Sequence, residues 1–450
     1  PRLDSSAASD VYKRQTVSKE AAMPINQPRS PEVYLNLNIR GMGPSATLAI
    51  NERSRQLAAQ GQRIYRLGLG QSPFPVPGHV QQCLRDNAHQ KDYLSVKGLP
   101  ALRQAVVDWV RRSEGLDYSP DNVLVGPGTK ELMFLVQLAY YGDLVIPSPS
   151  WVSYAPQARI IGRHIHWLRT RPETGLGVEP ETLEALCATD PDRPRLLILN
   201  SPSNPTGLCY DAGQLRAIAE VLRKYRMLAL SDEIYSGTHY AGGHVSLARY
   251  YPEGTIISNG LSKWCGAGGW RLGFFVFPQS LGWLADAMAA VASETFTSTS
   301  APIQYAAVTA LEAGAEMDDY LDRSRQVLGA LAEYAYLTLS GVGAELHRAA
   351  GGFYLFPHFE TRRAGLAARG IETGEVFCER LLEETGVATL PGSCFGRPEK
   401  ELSLRLAIVD FDGQTALARA ATEVVDEAFV KTHCPRVTTA IERMAEWVDA

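Results

Sequence analysis

The chain has 450 residues, enough to bury a large core and to divide into two domains. Hydrophobic residues make up 45% and charged residues 21%, and the net charge of -5 gives no electrostatic footprint for nucleic acid. No apolar run approaches the roughly 18 residues that span a bilayer, and seven scattered cysteines without a CxxC pair point to reduced thiols in a cytoplasm rather than a disulfide framework or zinc site.

In chain order, residues 1–22 read as a polar tail without the apolar core of a secretory signal. Within it, Asp10-Val11-Tyr12-Lys13-Arg14-Gln15 resembles the translated end of a transposase sequence used in making sequencing libraries. About the first 15 residues are therefore expected to be foreign, with Met23 one candidate start; the competing reading is an ordinary disordered tail. Residues 23–60 are expected to form an arm that packs onto a smaller domain. Arg40 in this arm is a surface arginine on the commoner reading and a ligand for a distal carboxylate on the other.

From residue 61 to 312, short apolar runs alternate with helix-like segments, the pattern of an α/β domain on a mostly parallel sheet. Strands are expected at Asn122–Val125, Leu144–Ile146, Leu196–Leu199, Met227–Leu230, Thr255–Ile257 and Leu272–Phe277. Helices are expected at Leu132–Tyr140 and Gln214–Tyr225. An alanine-rich helical pattern then runs from about Tyr305 to Leu339 with a break near Gly314, and residues 313–450 read as a smaller α+β domain.

In open α/β sheets, ligands bind beyond the carboxyl ends of the strands. Four polar motifs follow four expected strands: Gly126-Pro127-Gly128-Thr129-Lys130, Asn200-Ser201-Pro202-Ser203-Asn204-Pro205-Thr206-Gly207, Ser231-Asp232-Glu233-Ile234-Tyr235, and Ser258-Asn259-Gly260-Leu261-Ser262-Lys263. Each alone also reads as a turn, a helix start or a cap, and Trp151 alone as a packing aromatic. Together they share one rim. Eight positions after Lys263 stands Arg271; a lysine at a strand end beside an arginine suits a Schiff base to an aldehyde cofactor whose phosphate the arginine grips.

The set resembles the fold-type I pyridoxal-phosphate enzymes, specifically the class I/II aminotransferases related to aspartate and aromatic aminotransferases, from about Ala46 to Asp412. Three further segments carry the likeness: Leu67-Gly68-Leu69-Gly70-Gln71-Ser72-Pro73-Phe74, the segment from Tyr93 to Arg103, and Leu390-Pro391-Gly392-Ser393-Cys394-Phe395-Gly396 followed by Leu404-Arg405-Leu406-Ala407. The resemblance implies a three-layer α/β large domain, a smaller α+β domain and a homodimer with shared active sites. It also implies pyridoxal 5'-phosphate and transamination between an L-amino acid and a 2-oxo acid, with an aspartate- or aromatic-type donor and 2-oxoglutarate as acceptor.

By the same resemblance Lys263 carries the cofactor and moves a proton, Asp232 faces the pyridine nitrogen, and Asn204 and Tyr235 bond the ring oxygen. Trp151 stacks on the ring with Tyr154 behind it, while Gly128, Thr129, Lys130 and Arg271 hold the phosphate, joined by Tyr93 from the neighbouring subunit. Arg405 clamps the substrate carboxylate near Gly70. Gly260 departs from relatives with a phosphate-binding serine, and the resemblance allows a cis Asn204-Pro205 bond. Other chemistry on the same cofactor (decarboxylation, C-S lysis, cyclopropane formation) and a cofactor-binding sensor use the same apparatus. No metal is expected; His164, His166 and His239 read as structural or surface groups.

Overall fold

Strands buried on both faces need near-continuous apolar runs, and Leu196-Leu197-Ile198-Leu199 illustrates why. Alternation sends Leu196 and Ile198 into one core, with Leu230, Ile256 and Phe275, and Leu197 and Leu199 into another, with Leu215, Ile218 and Leu222. The computed structural model describes residues 34–43, 46–312 and 314–450. The expected foreign tail and the first part of the arm, to residue 33, lie outside the described residues. Residues to Arg40 form a unit of their own, in which Leu37–Ile39 is a 3-10 turn capped by Asn36 and Arg40 is exposed. Gly41–Ala450 is the second unit and carries everything below.

Its strands are β1 Tyr65–Arg66, β2 Val123–Gly126, β3 Asp143–Ser148, β4 Ile165–Arg169, β5 Arg195–Asn200, β6 Leu228–Asp232, β7 Thr255–Gly260, β8 Gly273–Val276, β9 Tyr354–Leu355, β10 Val387–Ala388, β11 Leu390–Pro391 and β12 Leu404–Ala407. Seven form one sheet in the order β2-β8-β7-β6-β5-β3-β4, parallel except at β8, which is antiparallel to both its neighbours. Helices cover both faces, so the architecture is a three-layer α/β sandwich. A second sheet, β11-β12-β9, is antiparallel and packs with helices Ala315–Gly341, Gly374–Thr385 and Pro435–Asp449 into an α+β region.

Two differences from the expected elements have physical causes. Strand β4 was not expected; as an edge strand it is only half-buried, so it lacks a long apolar run. The central strands run further than their apolar stretches, because Asn200 pairs with Asp232 and Asp232 with Ser258 in register. The long alanine-rich pattern breaks where expected, into helices Ala301–Leu311 and Ala315–Gly341, with extended Gly314 as the N-cap of the second. Helix Ala46–Ala59 sets Ile50 and Leu57 against Ile64, Leu382 and Ala388, and β1 pairs with β10. No helix among the described residues is long and apolar enough to cross a membrane.

Candidate active site

Register at the centre of the sheet assembles the site. Strands β5, β6 and β7 are neighbours, so the chain leaves their carboxyl ends at Asn200, Asp232 and Gly260 side by side, and Asn204 and Lys263 follow within a few residues. A cavity of about 540 Å³ opens there. Thr129, Lys130, Trp151, Asn204, Asp232 and Tyr235 line it, as do Lys263, Arg271, Gly70 and Arg405. Of the residues singled out from sequence, Gly128 borders it through Arg271, whereas Tyr93 lies outside it and is 89% exposed.

At the floor, Asp232 is buried. Its Oδ2 accepts a 2.5 Å hydrogen bond from the Tyr154 hydroxyl, and its Oδ1 has no partner. Burial raises its carboxyl to about 6 against the pull of the Tyr154 bond. Lys263 Nζ donates to the Gly70 carbonyl at 2.8 Å. Burial, then the charge of Arg405, lowers its ammonium to about 8, with Asp232 opposing.

Arg405 enters from β12 in the other sheet and is 2% exposed. It donates to Asn204 Oδ1 at 3.2 Å and to the Gly68 carbonyl at 2.5 Å, between the rings of Tyr354 and Phe395. Its Nε has no partner. A buried guanidinium with an open N–H edge is suited to a carboxylate.

The opposite end is built for another anion. Gly128, at φ +90°, is the N-cap of helix Thr129–Ala139, and a Cβ there would lie 2.3 Å from an Arg271 nitrogen. The Gly128 amide donates to the Gly126 carbonyl at 2.7 Å, so the amides of Thr129 and Lys130 at this helix start, beside Arg271, are the ones suited to an anion. Lys130 is pushed down by burial and by Arg271, and its Nζ lies 5.0 Å from the centre of the Trp151 ring. Gly260 has a steric reason to be glycine: a Cβ there would lie 2.6 Å from the Leu272 carbonyl. The allowance for a cis Asn204-Pro205 bond is not met, the cis bonds being Ser148-Pro149 and Ser201-Pro202. Instead the loop is closed by the Gly207 amide donating to the Ser203 carbonyl at 2.8 Å.

Sequence reasoning missed the contacts of three contributors. Tyr354 places its hydroxyl 2.9 Å from that of Tyr235, and a Cβ on Gly70 would lie 1.8 Å from it. Asn200 Nδ2 donates to the Asp232 carbonyl at 2.7 Å while its Oδ1 accepts from the Asn204 amide at 2.7 Å. Tyr154, expected only behind Trp151, holds Asp232 directly. Asn200 opens one of the strand-end motifs and Tyr154 stands in the Trp151 segment, but neither carried a hint of its partner in the sequence.

A sequence model of the family described as "Aminotransferase class I and II" matches residues 63–420. The aspartate aminotransferase of Geobacillus stearothermophilus is 35% identical over 372 residues, covering 80% of this chain and 91% of that protein. The aspartate/prephenate aminotransferase of Thermus thermophilus is 32% identical over 366 residues, covering 80% and 91%. The solved Thermus thermophilus aspartate aminotransferase with maleate superposes with a TM-score of 0.78 at 30% identity, over 92% of this chain and 100% of that one.

Proposed function

We propose the cofactor and substrates of this protein from one premise: the chain belongs to the class I and II aminotransferase family, and its reaction is the transfer of an amino group. The cofactor is pyridoxal 5'-phosphate, and the observation that carries this is the unpartnered, buried Oδ1 of Asp232 in the cavity that Lys263 also lines. A buried carboxylate oxygen left without a donor fits a protonated ring nitrogen. The cradle at Gly128, Thr129, Lys130 and Arg271 fits the phosphate, with Tyr93 of a second copy completing it in a homodimer. When bound, the cofactor supplies an aldehyde that condenses with amines and a ring that accepts the electrons of a broken Cα–H bond.

The chain's own groups do the rest. Lys263 Nζ, with its pKa of about 8, is partly neutral near pH 7.5 and takes the substrate Cα proton and later returns it. Asp232 holds the ring nitrogen in its protonated form, oriented by Tyr154. Trp151 covers one ring face, and Asn204 and Tyr235 face the ring oxygen. Arg405 fixes the substrate α-carboxylate, so the Cα–H bond is presented to Lys263.

The donor is an acidic amino acid such as aspartate, and the acceptor 2-oxoglutarate. Two relatives are aspartate aminotransferases by name, and the Thermus structure was solved with maleate, a dicarboxylate. Within this cavity the Lys130 side chain, whose backbone amide belongs to the cradle, is a cation beside Trp151 for a second carboxylate. Protein loaded with the vitamer should turn yellow, form oxaloacetate from aspartate and 2-oxoglutarate, and after borohydride carry the label on Lys263. Lys130→Gln should lower kcat/KM for aspartate about tenfold or more relative to a neutral donor. An equal loss for both donors argues against the acidic subsite, and a colourless protein argues against the whole reading.

A further inference from the structure

A second group of buried ionisable side chains lies behind the site and takes no part in the chemistry above. Strand β6 ends at Asp232, and the next side chain, Glu233, turns away from the cavity and is 1% exposed. Ser246 Oγ donates to Glu233 Oε1 at 2.5 Å, and His244 Nε2 stands 3.2 Å from Glu233 Oε2. Glu114, at the end of helix Pro100–Glu114, accepts at Oε2 from the Ser246 amide at 2.9 Å and from Arg249 Nε at 2.8 Å. The His244 side chain is 7% exposed, and neither ring nitrogen makes a well-aligned hydrogen bond. Tyr118, with its buried hydroxyl unpartnered, and His239 also face this cluster electrostatically.

Charge counting decides what the cluster needs. Two carboxylates meet one guanidinium, so one negative charge stays buried and uncompensated unless a proton sits on the imidazole or on Glu114, whose carboxyl is raised by burial and then by Glu233. Ligand atoms of Glu114, Glu233 and His244 lie within 4.8 Å of one another, but Arg249 already brings part of the positive charge a cation would supply. The proton on His244 closes the balance. Burial disfavours that proton, yet Glu233 and Glu114 outweigh burial and raise the imidazole overall. The Glu233 charge also reaches round the strand end and raises the Asp232 carboxyl.

We propose that Glu233 and His244 are positioning residues that act through Asp232: the imidazole proton sets how much negative charge stands behind the carboxylate that meets the ring nitrogen. This rests on the cofactor reading above. Coupling of this kind is reciprocal. If the His244 proton acts on the ring nitrogen through Asp232, then a positively charged ring nitrogen must act on the His244 proton and lower its midpoint.

The test is carbon NMR of histidine-labelled full-length protein, titrated from about pH 5 to 9 with and without pyridoxal 5'-phosphate. His244 is assigned with His244→Gln, or with the shift caused by Ser246→Ala if that chain does not fold. In the free protein His244 should titrate above the ordinary 6.5, and loading should move the midpoint down by about half a unit or more. In the loaded enzyme Glu233→Gln should move the acid limb of kcat/KM to lower pH, a change that mere loss of stability does not produce. A midpoint unmoved although absorbance shows the cofactor bound overturns the proposal, as does a His244 that never titrates. A melting temperature lowered by chelator overturns it in favour of a bound cation. Protein that takes up no cofactor fails the underlying reading, and this one with it.

Discussion

At the scale of the residue, the site is made of groups held in states they resist. Asp232 is the sharpest case: its carboxyl is raised from 3.8 to about 6. A folded-state value above the unfolded one means its stabilising contribution is complete below about pH 4 and is lost as pH rises through 6. At neutral pH the cofactor-free protein therefore carries a strained carboxylate, at a cost of about 3 kcal/mol. Asp232→Asn keeps an acceptor for the Tyr154 hydroxyl and removes the charge. It should raise the melting temperature of cofactor-free protein at pH 7.5, show little gain at pH 4, and cut transamination about a hundredfold or more. A variant less stable than the parent at pH 7.5 would contradict this account of the burial. The missing partner, rather than the residue type, marks the function.

At the scale of the element, strand ends and sheet register do the positioning. Asn200, Asp232 and Ser258 align across β5, β6 and β7, which places three chemically unlike groups within one rim. The second sheet contributes the other wall, with β12 carrying Arg405 and β9 carrying Tyr354. Between the walls, Gly70 leaves room for the Tyr354 hydroxyl, and its carbonyl accepts from Lys263. Gly70→Ala forces a Cβ to within 1.8 Å of that hydroxyl, an overpacking that costs about 1–3 kcal/mol. Because Tyr354 leans on Arg405 and Tyr235 rather than on the phosphate cradle, the loss should fall on substrate binding. KM for the amino donor should rise about tenfold, with cofactor affinity changed much less, as read by steady-state kinetics beside a fluorescence titration.

At the scale of the whole molecule, the proposed homodimer is tested at Tyr93. Tyr93 is 89% exposed and stands outside the cavity of its own chain, although the segment from Tyr93 to Arg103 belongs to the family pattern. In the homodimer proposed above, Tyr93 would reach the phosphate cradle of the second copy. Tyr93→Phe should weaken cofactor binding about tenfold, the worth of one hydrogen bond to a charged group, without altering the melting temperature of cofactor-free protein. An unchanged dissociation constant would separate Tyr93 from the phosphate and remove the shared-site argument. Mixing Tyr93→Phe with Lys263→Ala protein gives a second reading, since shared sites restore one intact cavity per mixed pair.

Sequence alone determined the fold class and named the candidate site residues, because the signals for both are written locally. Apolar runs of strand length must be buried on both faces; Lys263, Asp232 and Asn204 follow such runs within a few residues, and Arg271 stands just before one. Arg405 and Gly70 were legible through the likeness of their segments, not through their geometry. What tertiary structure decided is every relation between distant segments. Tyr154 against Asp232 spans 78 positions, Tyr235 against Tyr354 spans 119, and Arg405 against Asn204 spans 201. Edge strand β4, half-buried, gave no apolar run to read. The orphaned oxygen of Asp232 and the lowered ammonium of Lys263 belong to this second class: both arise from desolvation and neighbouring charge, which exist only once the sheet has closed the cavity around them.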